Sequence, residues 1–339
     1  MQSPGGHRVL FHYPVLNMGG AEMSSMRLMK ALADRGWEVT LVVTTGGGSL
    51  EPRLDPRIRL IALRPGAWGQ RFLRASGLLG RLMALPDLLA YATARLIGEG
   101  RALGLLTRRY DAAATLLQGT STAIVRTRVR AHRRLHFIRS DLSHADPTGV
   151  ATEAIRRAGP EIDGYVCVSE VARTSLVEAV PETAPKTHVI HNILDPDTMR
   201  RRIPEGVAPF KRDPGGPISL LTVCRLSEHS KALVRLTRVA RRLVDRGHKF
   251  RWYVVGDGPD RALFEAAVRE RDLGDTVILA GRQDNPFPAY AAADIVVLAS
   301  RFEGLSGMVN EAKVAGRPVV ATRVSGVDEQ LVDGKNGLI

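Results

Sequence analysis

Short apolar strand-like runs alternate with amphipathic helical segments along this whole chain, and the alternation restarts once. RVLFHYP reads as a first strand, and NMGGAEMSSMRLMKALADRG as a glycine loop running into an amphipathic helix that ends at Gly36. WEVTLVVTT is a second strand, closed by Gly46–Gly48, and IRLIAL, DAAATLL, LHFI, DGYVCVS and THVIH follow at intervals filled by helical periodicity. Such alternation demands parallel sheets, because parallel neighbours are joined by crossovers long enough to hold a helix. After His191 the pattern lapses: NILDPDTMRRRIPEGVAPFKRDPGGP is rich in proline, glycine and charge, so the domain boundary is expected near residue 200. The plan then repeats with ISLLTVCRL, a helix over SKALVRLTRVARRLVDRG stopping at Gly247, KFRWYVVGDGP, a helix from Asp260 to about Asp272, TVILAG, ADIVVLAS and RPVVATR. The expected fold class is α/β: two doubly wound domains, residues 1–200 and 201–339, facing each other across a cleft.

A chain of 339 residues is long enough for each domain to bury its own core, and 44% hydrophobic with 24% charged residues is a soluble, globular composition. His7 to Tyr13 is too short for a secretory core, and no window is long and apolar enough to span a bilayer. Cys167 and Cys224 lie in apolar runs outside any CxxC pair, which reads as buried free thiols in a reducing cytoplasm. The net charge of +13 comes mostly from arginine, dense between Arg53 and Arg139. There RFLRASGLLGRLMALPDLLAYATARL sets Arg71, Arg74, Arg81 and Arg95 among apolar clusters, a pattern that suits a helix lying on an anionic membrane surface. An arginine-rich proteome with helices packed normally on a sheet gives the same pattern. No nucleic-acid partner is expected, since the basic stretch has little aromatic interleaving and no recognition motif.

SRFEGLSGMVNEAKVAGRPVVA (Ser300–Ala321) carries Glu303 and Glu311 eight positions apart. Glu303 closes the apolar run Ile295 to Leu298, and Glu311 falls one turn into the following helix. A carboxylate at a strand's C-terminal end, a glycine loop and then a helix is how open α/β sheets build ligand sites. Spacing alone decides nothing, because Glu153/Glu161 and Glu170/Glu178 repeat the interval on solvated helix faces. Arg225 ends the first strand of the second domain and Lys231 starts its helix, where the two cations can neutralise a diphosphate. Gly19 and Gly20 stand between the first strand and first helix, where amides can approach a phosphate, although a tight turn needs glycine anyway. They form no GxGxxG fingerprint, and no P-loop is present. GDGPD (Gly256–Asp260) reads as a structural turn. Asp195-Pro-Asp197 has the form of a DxD metal motif, but a proline–aspartate turn accounts for it, and no metal cofactor is expected. His12 and His144 are the histidines placed toward the cleft.

Taken in order, GGAE (Gly19–Glu22), CVSE (Cys167–Glu170), HNILD (His191–Asp195), Arg225 with Lys231, VGDGP (Val255–Pro259), Ala293–Gly326 and DGKNGLI (Asp333–Ile339) resemble one family. It is that of the retaining, nucleotide-sugar-dependent glycosyltransferases of GT-B fold, group 1 type. The resemblance covers nearly the whole chain and is loosest between residues 64 and 135. It implies that Glu303 contacts the donor sugar and Glu311 the ribose hydroxyls. By the same resemblance the amides of Gly304, Leu305 and Ser306 hold sugar and phosphate, Arg225 and Lys231 the diphosphate, Gly19–Gly20 the first glycine loop, and Arg282 marks the segment holding the base. The implied reaction transfers a sugar from a UDP- or GDP-linked donor to a lipid-linked or polysaccharide acceptor at the inner membrane face, without a metal. Front-face attack, with the donor phosphate taking the acceptor proton, needs no enzymic nucleophile.

Three departures from the family stand out. GLSG follows Glu303 where many relatives have a phenylalanine–glycine pair, and Arg139 stands where relatives often have a histidine, a role His144 is the candidate to fill. Members normally end with helices that cross back onto the first domain, so a second domain truncated after NGLI is expected. A GT-B epimerase would need cleft carboxylates for proton transfer, and a phosphorylase a pyridoxal lysine. A non-catalytic nucleotide-sugar-binding protein is the other alternative.

Overall fold

The computed structural model describes residues 6–66, 83, 85–212 and 215–339. Arg71, Arg74 and Arg81 of the expected surface helix therefore lie outside the described residues. Two compact units divide between Ile193 and Leu194, at the start of the proline- and glycine-rich stretch.

In the first unit β1 (Arg8–Tyr13), β2 (Glu38–Thr45), β3 (Arg59–Arg64), β4 (Arg109–Thr115), β5 (Arg130–Ile138), β6 (Gly164–Cys167) and β7 (Thr187–Val189) form a parallel sheet of order β3-β2-β1-β4-β5-β6-β7. Apolar runs such as Val9–Phe11 and Val39–Val43 are buried because helices cover both faces. Among them are α1 (Gly20–Asp34), α2 (Leu85–Gly104), α3 (Ala123–Thr127), α4 (Leu142–Ala145), α5 (Val150–Ala158) and α6 (Glu170–Ala179). Strand β5 begins at Arg130, ahead of the expected LHFI, because RAHRR enters the sheet with its arginines exposed or half-buried.

The second unit opens with α7 (Pro196–Arg201). Its strands β8 (Ile218–Val223), β9 (Phe250–Val255), β10 (Val277–Gly281), β11 (Ile295–Leu298) and β12 (Val319–Ala321) form a parallel sheet of order β10-β9-β8-β11-β12. Leu338 bridges to Val320 beside β12. One core layer packs Leu236 and Phe264 against Trp252 and Val254, and the other packs Tyr290 and Val309 against Leu221 and Val296.

The helix expected to run unbroken through SKALVRL is split into α8 (Glu228–Lys231) and α9 (Leu233–Asp245). The break is Ala232, fully buried and left-handed at φ 51°, a conformation that costs a non-glycine residue about 1–3 kcal/mol unless its surroundings enforce it. The remaining helices are α10 (Arg261–Arg269), α11 (Phe287–Ala292) and α12 (Gly307–Val314).

Candidate active site

In the second sheet the strand order reverses between β8 and β11, and the loops leaving their C-terminal ends flank the switch point where such sheets take ligands. Arg225 and Lys231 follow β8, while Ser300 and Glu303 follow β11. These loops are tied together. Lys231 Nζ donates to Glu303 Oε1 at 2.5 Å, and Ser300 Oγ donates to the same oxygen at 2.6 Å. Both ends of the ion pair are largely sheltered, Lys231 at 21% and Glu303 at 12% side-chain exposure. The Ala232 turn ends α8 at Lys231, one residue after the last carbonyl that Arg301 reaches from the opposite loop. Arg301 donates to the Glu228 and His229 carbonyls and pairs with the Glu228 carboxylate at 2.6 Å, and its amide donates to Ser230 O at 2.8 Å.

Arg225 is exposed and makes no ion pair among the described residues. The residues on either side of it are held by the end of β9 and the turn that follows: Cys224 N donates to Val255 O and Leu226 N to Asp257 O, each at 3.0 Å. A Cβ added at Gly256 would stand 1.8 Å from Cys224 O, and one at Gly258 2.3 Å from Leu226 O. The turn glycines are therefore what lets this strand end approach the Arg225 segment. Burial pushes the Cys167 and Cys224 thiols up to about 12, so both free cysteines remain protonated.

Glu311 lies on α12, and the hydroxyl of Tyr290 on α11 donates to its Oε2 at 2.8 Å. Of the three loop amides expected to face a ligand, that of Ser306 is spent. It donates to Gln330 Oε1 at 2.9 Å, and Gln330 Nε2 returns a bond to Ser306 O at 2.8 Å. This pair locks the start of α12 and takes the Ser306 amide out of the expected donor set, while Gly304 is buried and Leu305 half-buried in the same loop. Arg282 follows β10 at the same sheet edge, exposed and 3.5 Å from Asp284.

The other expected residues belong to the first unit. Gly19 caps α1 without a side chain, and the Glu22 carboxylate folds back over it, so that a Cβ on Gly19 would meet Glu22 Oε2 at 2.3 Å. His144 is exposed, its Nδ1 3.0 Å from the Asp141 carboxylate, which also caps α4 through Ser143 N. His12 does not face solvent. It is buried against Thr44 Oγ1 at 2.9 Å, and burial lowers its pKa to about 4. Arg139 is buried too, donating to Leu116 O at 2.7 Å, Asn192 Oδ1 at 3.1 Å and Ser24 Oγ at 3.4 Å. Asp195 caps α7 through Thr198 N, and Asp197 pairs with Arg200, so the DPD triplet serves a helix start.

Sequence reasoning did not find Ser300, Tyr290, Arg301 or Gln330. Ser300, Tyr290 and Gln330 bond site residues directly, and Arg301 braces the turn of α8 that ends at Lys231. Such long-range side-chain contacts leave no trace in periodicity or spacing.

Residues 18–198 match the family described as Glycosyltransferase Family 4, and residues 217–339 match Glycosyl transferases group 1. The 2-deoxystreptamine glucosyltransferase of Streptomyces kanamyceticus is 33% identical over 192 residues, covering 55% of this chain and 48% of that relative. The chain thus spans about half the length of that curated relative. The structure of Anabaena HepE in complex with UDP and glucose superposes with a TM-score of 0.71 at 19% identity, over 97% of this chain and 84% of that one. Sucrose-phosphate synthase from Thermosynechococcus elongatus gives 0.69 at 19% identity, over 98% and 85%. At these identities the likeness shows the fold, which is GT-B.

Proposed function

The chain belongs to Glycosyltransferase Family 4, and from that premise we propose that it moves a sugar, with retention, from a nucleoside-diphosphate sugar to a lipid-linked or polysaccharide acceptor. The observation that carries this reading is the Lys231–Glu303 pair at the switch point of the second sheet, with Arg225 on the same segment after β8 as Lys231. Such a site suits a leaving diphosphate. Arg225 and Lys231 neutralise the charge that builds on it, and the first-turn amides of α12, uncapped by any side chain, add the positive end of a helix dipole. Glu303 then contacts the sugar and Glu311 the ribose. The donor's own phosphate takes the acceptor proton, so no enzymic nucleophile or metal is required.

UDP is the favoured nucleotide, a choice supported by the UDP bound to HepE. A glycan acceptor is in keeping with the named relatives in lipopolysaccharide core and colanic acid biosynthesis. Peripheral attachment to the inner membrane face is favoured by α2, which exposes Leu89, Leu96 and Leu103 at seven-residue intervals beside exposed Arg95 and Arg101. No helix among the described residues is long and apolar enough to cross a membrane.

Incubation with UDP-[14C]glucose and other labelled nucleotide sugars, with and without EDTA, tests the proposal. Free nucleoside diphosphate with a new α-glycoside, undiminished by the chelator, is the expected result. Donor binding with no turnover over an acceptor panel would point to a non-catalytic binding protein, and an epimerised donor to an epimerase.

A further inference from the structure

Tyr290 is fully buried on α11, packed with Phe287, Leu221, Val296 and Val309 in the core layer behind β8 and β11. Its hydroxyl is the one polar atom the side chain carries into that layer, and it is aimed at Glu311 Oε2, 2.8 Å away on α12. A packed phenol ring has two torsions, both set by its neighbours, so its oxygen is a nearly fixed point. Glu311 is only half-buried, and a glutamate has three torsions of its own. The bond therefore ties the Glu311 carboxylate to a nearly fixed point of the core. Burial and the neighbouring Glu311 charge raise the hydroxyl's pKa well above 10, so it remains a donor at any working pH.

We propose that Tyr290 is a positioning residue that holds Glu311 in the rotamer presenting its carboxylate to the ribose hydroxyls, and thereby sets the preference for a ribonucleotide donor. This rests on the assignment of Glu311 to the ribose given under Proposed function. A purely structural tyrosine would, on removal of its hydroxyl, weaken every nucleotide equally. A positioning tyrosine acts only on the part of the affinity that the ribose hydroxyls supply.

The test is the ratio of dissociation constants for the 2′,3′-dideoxy analogue and the parent nucleotide, measured by calorimetry with UDP and with GDP. The wild-type protein is compared with Tyr290→Phe and Glu311→Gln. The phenylalanine variant keeps the ring and loses one oxygen, and its melting temperature reports that it folds. Wild type is expected to prefer the ribonucleotide by about tenfold, near the energy of one charge-assisted hydrogen bond. Tyr290→Phe is expected to cut that preference at least threefold while leaving affinity for the dideoxy analogue within twofold. If Glu311→Gln loses the preference and Tyr290→Phe keeps it, the positioning role is overturned and the ribose assignment stands. If Glu311→Gln keeps the preference, or wild type shows none, the ribose assignment itself fails and takes this inference with it.

Discussion

Lys231 Nζ and Glu303 Oε1 meet at 2.5 Å, joining the loop after β8 to the loop after β11 although 72 positions separate them in sequence. The left-handed turn at Ala232 and the hydroxyl of Ser300 both serve this contact. Lys231→Ala is expected to lower kcat/KM about a hundredfold, the ~3 kcal/mol typical of losing one preorganised contact to developing charge. Glu303→Ala should cost at least as much. Because each residue holds the other, the double variant should lose far less than the product of the two effects, which a double-mutant cycle on steady-state rates would read. Additive losses would mean that the two side chains work independently.

Gly326 passes against the glycine after Glu303. It sits at φ 76°, and a Cβ there would lie 2.2 Å from Gly304 O, a backbone atom that cannot swing aside. Gly326→Ala should therefore displace the Gly304–Leu305 loop and destabilise the second unit by about 1–3 kcal/mol. Thermal melting and donor KM are the measurements, with a lower Tm and a severalfold higher KM expected. An unchanged donor KM would show that this loop does not touch the donor.

The first unit carries an acid-sensitive pair. Burial lowers His12 and His136 from 6.5 to about 4. The unfolded chain takes up both protons near pH 6.5, and the folded chain only near 4. Stability from keeping them neutral is thus complete above 6.5, falls as pH drops from 6.5 to 4, and levels off below. Each histidine contributes about 1.4 kcal/mol per pH unit inside that window. Asp55, held down to about 2 by hydrogen bonds from Arg57, loses its contribution only below 3.8, so the two effects separate. The urea midpoint should fall between pH 7 and about 5, and His136→Gln should flatten that slope by roughly half. A midpoint unmoved by pH would contradict burial of neutral imidazoles.

Most strands were legible because parallel, doubly covered sheets leave unmistakable apolar runs, and ISLLTV, FRWYVV and IVVL all appear where expected. Strand β5 was half hidden because RAHRR carries charge into the sheet. The break at Ala232 was invisible, since alanine is the best helix former and nothing local marks it as left-handed. Glu303, Arg225 and Lys231 could be nominated because strand ends at a switch point are fixed by topology. Ser306 was misread because its amide is taken by Gln330, a tertiary partner from a segment 24 positions away. His12 was misread for a related reason: the end of a strand can face the interior as easily as the rim.

Arg139 gives a last prediction. Its guanidinium is 7% exposed and reaches three acceptors on separate segments: the Leu116 carbonyl after β4, Ser24 on α1, and Asn192 next to the end of the first unit. Burial lowers its pKa to about 10, so it stays cationic at neutral pH, helped by the nearby Glu22 charge. A planar fork can serve three directions at once, whereas an ammonium on a shorter stem cannot span the same partners. Arg139→Lys should therefore destabilise the first unit by about 2–4 kcal/mol, nearly as much as Arg139→Met, because both leave buried acceptors unpaired. Urea unfolding of the two variants is the measurement. A lysine variant as stable as wild type would show that only the charge at this position matters.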